Sequence, residues 1–120
     1  MDKEIYNHRG AVVGWIVGES DIFSRANLYI GFLEETNVFN AGGFYVGEFE
    51  DGFFWDRNGR AVAFIDGATN GPIIPITQIA PISPIHGITP IRPITPVTPV
   101  SPVHSLSWSQ SAFEAFIRGQ

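Results

Sequence analysis

Between residues 4 and 66 one pattern of apolar and polar positions occurs four times. The unit reads aromatic, short polar, two variable residues, Gly or Asn, two variable, apolar, small, mostly aromatic, apolar. Its copies start at Tyr6, Phe23, Phe39 and Trp55, offset by 17, 16 and 16 residues, so the register holds without a real insertion. Such fixed-period self-similarity is an internal repeat. The turn-closing position is Gly10, Asn27, Gly43 and Gly59, and the small position is Gly14, Gly31, Gly47 and Ala63. Two apolar columns flank the small one: Val13, Ile30, Val46 and Val62 before it, and Ile16, Leu33, Phe49 and Ile65 beyond it.

Each copy predicts a hairpin. A short polar residue (Asn7, Ser24, Asn40, Asp56) leaves the first strand, and a residue that tolerates positive φ closes the turn. GESD at 18–21, EETN at 34–37 and EDG at 50–52 supply the turns between units. The expected result is an all-β domain of four hairpin repeats, each about 16 residues long, forming an eight-strand meander that closes with pseudo-four-fold symmetry. A repeated small residue fits crowding near the axis of a closed arrangement. It also fits a β-bulge in each hairpin, and both explanations can hold together.

The segments IYNHRGAVVGWI, IFSRANLYIGFL, VFNAGGFYVGEF and FWDRNGRAVAFI resemble the small bacterial domain called the four-fold beta flower. The resemblance spans roughly residues 4–66 and implies the fold, with no catalytic residues to carry over. Glu48 departs from the pattern, standing where the other copies have Trp15, Phe32 and Phe64.

The second half obeys a period of three. From Pro72 to Ser107 the chain divides into twelve triplets, PII PIT QIA PIS PIH GIT PIR PIT PVT PVS PVH SLS, each with Ile, Val or Leu in the middle. All nine prolines take the first position. Proline fixes its own φ and keeps the preceding residue out of the α region, so an extended, polyproline-II-like tail is predicted, with three residues per turn. The middle residues form a continuous apolar stripe, here represented by Ile82, Ile85, Ile91, Ile94 and Val97. The stripe is expected to be buried on the protein's own domain or on another protomer, with Ser83, His86, Arg92 and Thr95 left in water. Gln78 and Gly87 interrupt the proline column and are the expected bends. The final stretch, SLSWSQSAFEAFIRGQ, predicts a short docking helix. Ser107 or Ser109 would cap it, Ala112, Phe113, Phe116 and Ile117 would dock, Gly119 would stop it, and Trp108 would anchor it. The expected divisions are therefore 1–68, 69–107 and 108–120, and deletion of residues 69–120 is expected to leave a folded β-domain.

Composition narrows the function. With no cysteine among 120 residues, disulfides and thiolate metal sites are excluded, which fits a reducing compartment. The opening MDKEIYNHRG does not read as a secretory signal, and no window approaches the uninterrupted apolar length of a membrane-spanning helix, so a cytoplasmic protein is expected. Residues 1–68 carry eleven acids and five bases, a balance of −6, whereas 69–120 hold only Arg92, Glu114 and Arg118, a balance of +1, which gives the net −5. Within the repeats, His8, Arg9, Arg25 and Arg57 lie on the hairpin turns, and Glu19, Asp21, Glu34, Glu35, Glu50 and Asp51 on the turns between hairpins. Closure would put a basic rim opposite an acidic one. An acidic domain with so few arginines does not read as a nucleic-acid binder.

Candidate chemistry is sparse. No nucleophile elbow, phosphate loop, HExxH or dinucleotide fingerprint is present, so no enzyme, catalytic residue or cofactor is predicted. Of the three histidines, His8, His86 and His104, the two in the tail, His86 and His104, are read as exposed third-position residues, and the acids around Glu34, Glu35, Glu50 and Asp51 lack the alternating spacing of a dedicated Ca²⁺ loop, so no metal site is predicted. The leading expectation is a non-enzymatic interaction or assembly module, a homo-oligomer or a binder of a protein partner through its tail. The alternative is a small-molecule or anion-binding protein using Arg9, Arg25 and Arg57 on the hairpin-turn rim.

Overall fold

Side chains alternate across a strand, so Ile5, Ile22, Val38 and Phe54 must point opposite to Tyr6, Phe23, Phe39 and Trp55. In the computed structural model, which describes residues 2–77, 92–93 and 103–119, both sets are buried, the first inside a closed sheet and the second under side chains that cover its outer face. Eight antiparallel strands form a closed barrel in chain order: β1 (Lys3–Tyr6), β2 (Val12–Val17), β3 (Asp21–Ser24), β4 (Tyr29–Glu34), β5 (Asn37–Asn40), β6 (Tyr45–Glu50), β7 (Phe53–Trp55) and β8 (Ala61–Phe64). Closure between β1 and β8 rests on one residue pair, Tyr6 with Phe64.

The turns follow the residue chemistry. Asn40 Oδ1 accepts from the N–H groups of Gly42 and Phe44, and Asp56 Oδ1 accepts from those of Asn58 and Arg60; Asn7 does the same for Arg9 and Ala11. The turn-closing residue is left-handed, with φ +65° at Asn27 and +81° at Gly59.

The structure resolves the role of the small column. Pairing within β1/β2, β3/β4, β5/β6 and β7/β8 shifts register at the same place each time: Ile5 faces Gly14 while Tyr6 faces Val12, and Phe54 faces Ala63 while Trp55 faces Ala61. The apolar residues Val13, Ile30, Val46 and Val62 are thus the extra residues of β-bulges. Each small residue lies immediately after one. A Cβ added at Gly47 would come within 2.0 Å of the Trp55 carbonyl oxygen and 2.7 Å of the Phe116 ring. Crowding therefore comes from the neighbouring strand's backbone and from a side chain of the terminal helix.

That helix, α1 (Phe113–Ile117), is shorter than its sequence suggests. Its N-cap is Ala112, without a side-chain cap, so neither Ser107 nor Ser109 serves; the Ser109 hydroxyl instead accepts from the N–H of Ser111. Phe113, Phe116 and Ile117 enter the barrel core beside Ile5, Ile16, Ile22, Leu33, Val38 and Phe54. With five residues the helix is held by this docking. It sits at the end of the barrel that carries the hairpin turns, where Arg57 Nη2 lies 3.5 Å from the Gly119 carbonyl oxygen. Among the described residues no helix is long and apolar enough to cross a membrane.

Candidate functional site

The barrel has a second apolar surface on its outside. Register places four outward rows across the strands: Glu4, Trp15, Phe23 and Tyr29; Asp21, Phe32, Phe39 and Tyr45; Asn37, Glu48, Trp55 and Ala61; Phe53, Phe64, Tyr6 and Val12. An outward face would ordinarily meet water, yet Trp15, Phe32, Trp55 and Phe64 are buried. In the first two rows part of the cover is local, because the Tyr29 and Tyr45 rings stand edge-on to Phe23 and Phe39 at 5.6 and 6.0 Å. Burial raises the pKa of both tyrosines, with Asp21 adding to the effect at Tyr29 and Glu48 at Tyr45, while Arg92 and Arg57 respectively oppose it.

The tail supplies the rest wherever it is described. Arg92 meets the second row: its guanidinium lies 4.9 Å from the centre of the Phe32 ring, and Nη2 donates to Asp21 Oδ1 at 2.9 Å and to Ser20 Oγ at 2.6 Å. Partial burial works to lower the Arg92 pKa, but the hydrogen bond and charge of Asp21, with Tyr29, more than offset it. His104 meets the third row. Its ring stacks on Trp55 with centroids 4.1 Å apart and planes only 2° from parallel. Nε2 is 3.1 Å from Glu48 Oε1, and Nδ1 is 4.0 Å from Glu50 Oε2. Trp108 meets the fourth row, with its ring 6.0 Å from Phe53 and 5.9 Å from Phe64.

Backbone pairing fixes this last stretch. The third row has Ala61 where the first two have tyrosine, and the tail runs alongside it: Ser105 N–H donates to the Gly59 carbonyl, Ala61 N–H to Ser107, and Ser109 N–H to Ala61. A parallel bridge between Ala61 and Trp108 results. This is strand addition to the edge of β8 that β1 leaves open, since those two strands pair through Tyr6 and Phe64 alone.

In the described triplets the middle residues face away from the barrel, unlike the inward stripe that the sequence suggests. The middle residues of the described triplets point into water, with Ile73, Ile76, Val103 and Leu106 at 92%, 94%, 92% and 75% exposure. Three third residues hold the tail: Ile74 packs against the cluster of Tyr6, Val12 and Trp15, His104 is half-buried, and Arg92, exposed as expected, is also tied to Asp21, while Thr77 and Ser107 are exposed. The physical reason is that the outer rows offer aromatic faces edged by carboxylates, which suit imidazole and guanidinium groups. Ile82, Ile85, Ile91, Ile94 and Val97 lie outside the described residues, as do His86, Gln78 and Gly87.

Two arginines of the hairpin-turn rim, Arg25 and Arg57, sit beside α1. Arg25 and Arg118 border an apolar cleft of about 430 Å³ lined by Leu28, Ile30, Phe113 and Ile117. Arg25 Nη1 lies 3.4 Å from the Val12 carbonyl oxygen, Arg57 approaches the helix end at Gly119, and Arg9 is exposed on its own turn. The structure thus directs Arg25 and Arg57 to backbone carbonyls on different sides of the helix.

The closed antiparallel barrel with its terminal helix is one structural unit, and residues 3–117 match the 4-fold beta flower protein family over nearly the whole chain. The chain belongs to that family. No curated protein and no solved structure matches it. Because the family match runs past residue 66, it takes in the tail and helix that the sequence resemblance left out.

Within this flower barrel the residue that sequence reasoning passed over is His104, read as one more exposed third-position side chain. The signal lay elsewhere in the chain. Glu48 breaks an aromatic column, and Ala61 stands where Tyr29 and Tyr45 stand in other rows, so a single row has lost two rings and gained a carboxylate. The imidazole of His104 covers Trp55 in that altered row.

Proposed function

We propose that this flower protein is a non-enzymatic assembly module whose tail presents an apolar ridge to a second copy of the chain. The observation that carries the reading is the exposure of Ile73, Ile76, Val103 and Leu106 on a segment whose opposite edge is tied to the barrel. In this reading the four hairpins close with pseudo-four-fold symmetry, and the tail is polyproline-II-like throughout, so the outward position recurs in every triplet. A ridge of one repeating chemistry can lie antiparallel on its own copy, as a two-fold interface requires. Charge also selects that contact. The acids of residues 1–68 make barrel surfaces repel one another, whereas the tail holds almost no charge. A cytoplasmic setting suits the cysteine-free sequence.

Each exposed Ile or Val would contribute roughly 1.5–3 kcal/mol if fully buried in such an interface. Replacing Ile73, Ile76 and Val103 together by Ser should therefore dissociate the oligomer in light scattering while leaving the melting temperature of the barrel almost unchanged, since these side chains touch little in the single chain. A wild-type chain that scatters as a monomer up to millimolar concentration would retire the assembly reading. The alternative, anion binding by Arg9, Arg25 and Arg57, has less support, because Arg25 and Arg57 already approach backbone carbonyls.

A further inference from the structure

We propose that Glu48, Glu50 and His104 form a binding site for a divalent first-row metal ion, clamping the tail to the barrel. The proposal does not depend on the assembly reading, and it departs from the sequence expectation that the chain binds no metal. Glu48 and Glu50 are two residues apart on β6 and therefore share its outer face, and the tail delivers His104 between them. One ligand atom from each residue can be chosen so that all three lie within 4.8 Å of one another. Bonds of about 2.0–2.2 Å to imidazole nitrogen and carboxylate oxygen place neighbouring ligand atoms roughly 3–3.5 Å apart. The 3.1 Å between His104 Nε2 and Glu48 Oε1 already meets that spacing. Glu50 lies nearer the other ring nitrogen, with Oε2 4.0 Å from Nδ1, and being half exposed it has the freedom to swing toward the Nε2 side, where the ion would sit.

The surroundings are those of a built site. Glu48 is only 4% exposed, and the His104 ring is locked flat on Trp55, so two of the three ligands are held before any ion arrives. The exposed side at Glu50 leaves room for water to complete the coordination. A set of one imidazole and two carboxylates suits Zn²⁺ or Mn²⁺ over soft copper(I). Among the described residues Tyr45 also lies near Glu48: its pKa is raised by burial and then by Glu48, with Arg57 acting in the opposite sense. Residues 48 and 104 are 56 positions apart in the chain, so an ion shared between them would close a long loop.

The test is calorimetric titration of the full chain with Zn²⁺, with Mn²⁺ broadening of the amide spectrum as a second readout. The expected result is one saturable site per chain that raises the melting temperature, with broadening centred on Glu48, Glu50, Trp55 and His104. Glu50→Gln should weaken Zn²⁺ binding about tenfold or more. Because Glu50 is half exposed, the metal-free melting temperature of that variant should match wild type. His104→Gln should abolish the thermal shift. Affinity unchanged in Glu50→Gln, or broadening spread equally over the acidic turn at Glu34 and Glu35, would overturn the proposal. So would stabilisation by mild acidification without any metal uptake, which would assign the cradle to a proton instead.

Discussion

A chain lacking residues 108–120 should lose its cooperative unfolding transition. Phe113, Phe116 and Ile117 belong to the same core as Ile22, Val38 and Phe54, and Trp108 covers Phe53 and Phe64 from outside. Burying the three helix side chains contributes on the order of 5–9 kcal/mol, comparable to the whole stability of a small domain. Without the helix, the end of the barrel bounded by Gly31 and Gly47 would open onto water. Circular dichroism during heating and methyl dispersion in NMR spectra would report the loss, and a synthetic peptide of residues 108–120 added in trans should restore part of it. A truncated chain that still melts cooperatively within a few degrees of wild type would show that the helix merely rests on a self-sufficient barrel. That outcome is what the repeats alone suggest, since the sequence expectation places a complete β-domain in residues 1–68.

The second large effect is expected at the bulges. Gly47→Val should destabilise the protein by on the order of 3 kcal/mol, a drop of roughly 10–20 °C in Tm for a chain near this size. Its Cβ would be driven against the Trp55 carbonyl oxygen, which belongs to the sheet and cannot move aside, and against Phe116. Gly18→Ala provides the contrast. Gly18 has open space around it and a φ of +61°, so only the backbone objects, at a cost of about 1 kcal/mol. The fourth member of the column is Ala63, which is fully buried with a methyl group in place. It faces the β8–β1 junction, where pairing is limited to Tyr6 with Phe64 and no long ladder presses a carbonyl against it. Equal melting temperatures for Gly47→Val and wild type would mean that the bulge geometry described above is not what selects the small residue.

The hairpins and their turns were legible because local chemistry decides them. Asn7, Asn40 and Asp56 each bond two N–H groups of their own turn, and no distant residue is needed to see it. The helix face was legible for the same reason, through the spacing of Phe113, Phe116 and Ile117. Periodicity does not say which edge of an extended segment faces the protein. A stripe of Ile and Val invites the inference that it packs inward, and that inference holds only if the partner surface is apolar and uncovered. Here the outer rows carry Asp21 beside Phe32 and Glu48 beside Trp55. Arg92 and His104 satisfy both the ring and the carboxylate of each pair, and beside His104 this leaves Val103 outside. The pairing of Glu48 with His104 joins residues from unlike parts of the chain, and one was visible only as a break in a repeat.

The outward ridge is tested most directly by methyl protection. Isoleucine and valine methyl groups of the full-length chain would be labelled, and their broadening by a soluble paramagnetic agent followed as the protein is concentrated. In dilute solution the methyls of Ile73, Ile76 and Val103 should broaden strongly, whereas those of Ile22 and Val38 in the core should not. As the concentration rises, the ridge methyls should become protected while Ile22 and Val38 stay as they were. Ridge methyls that are protected even at the highest dilution would contradict the account, because the stripe would then be folded onto its own barrel.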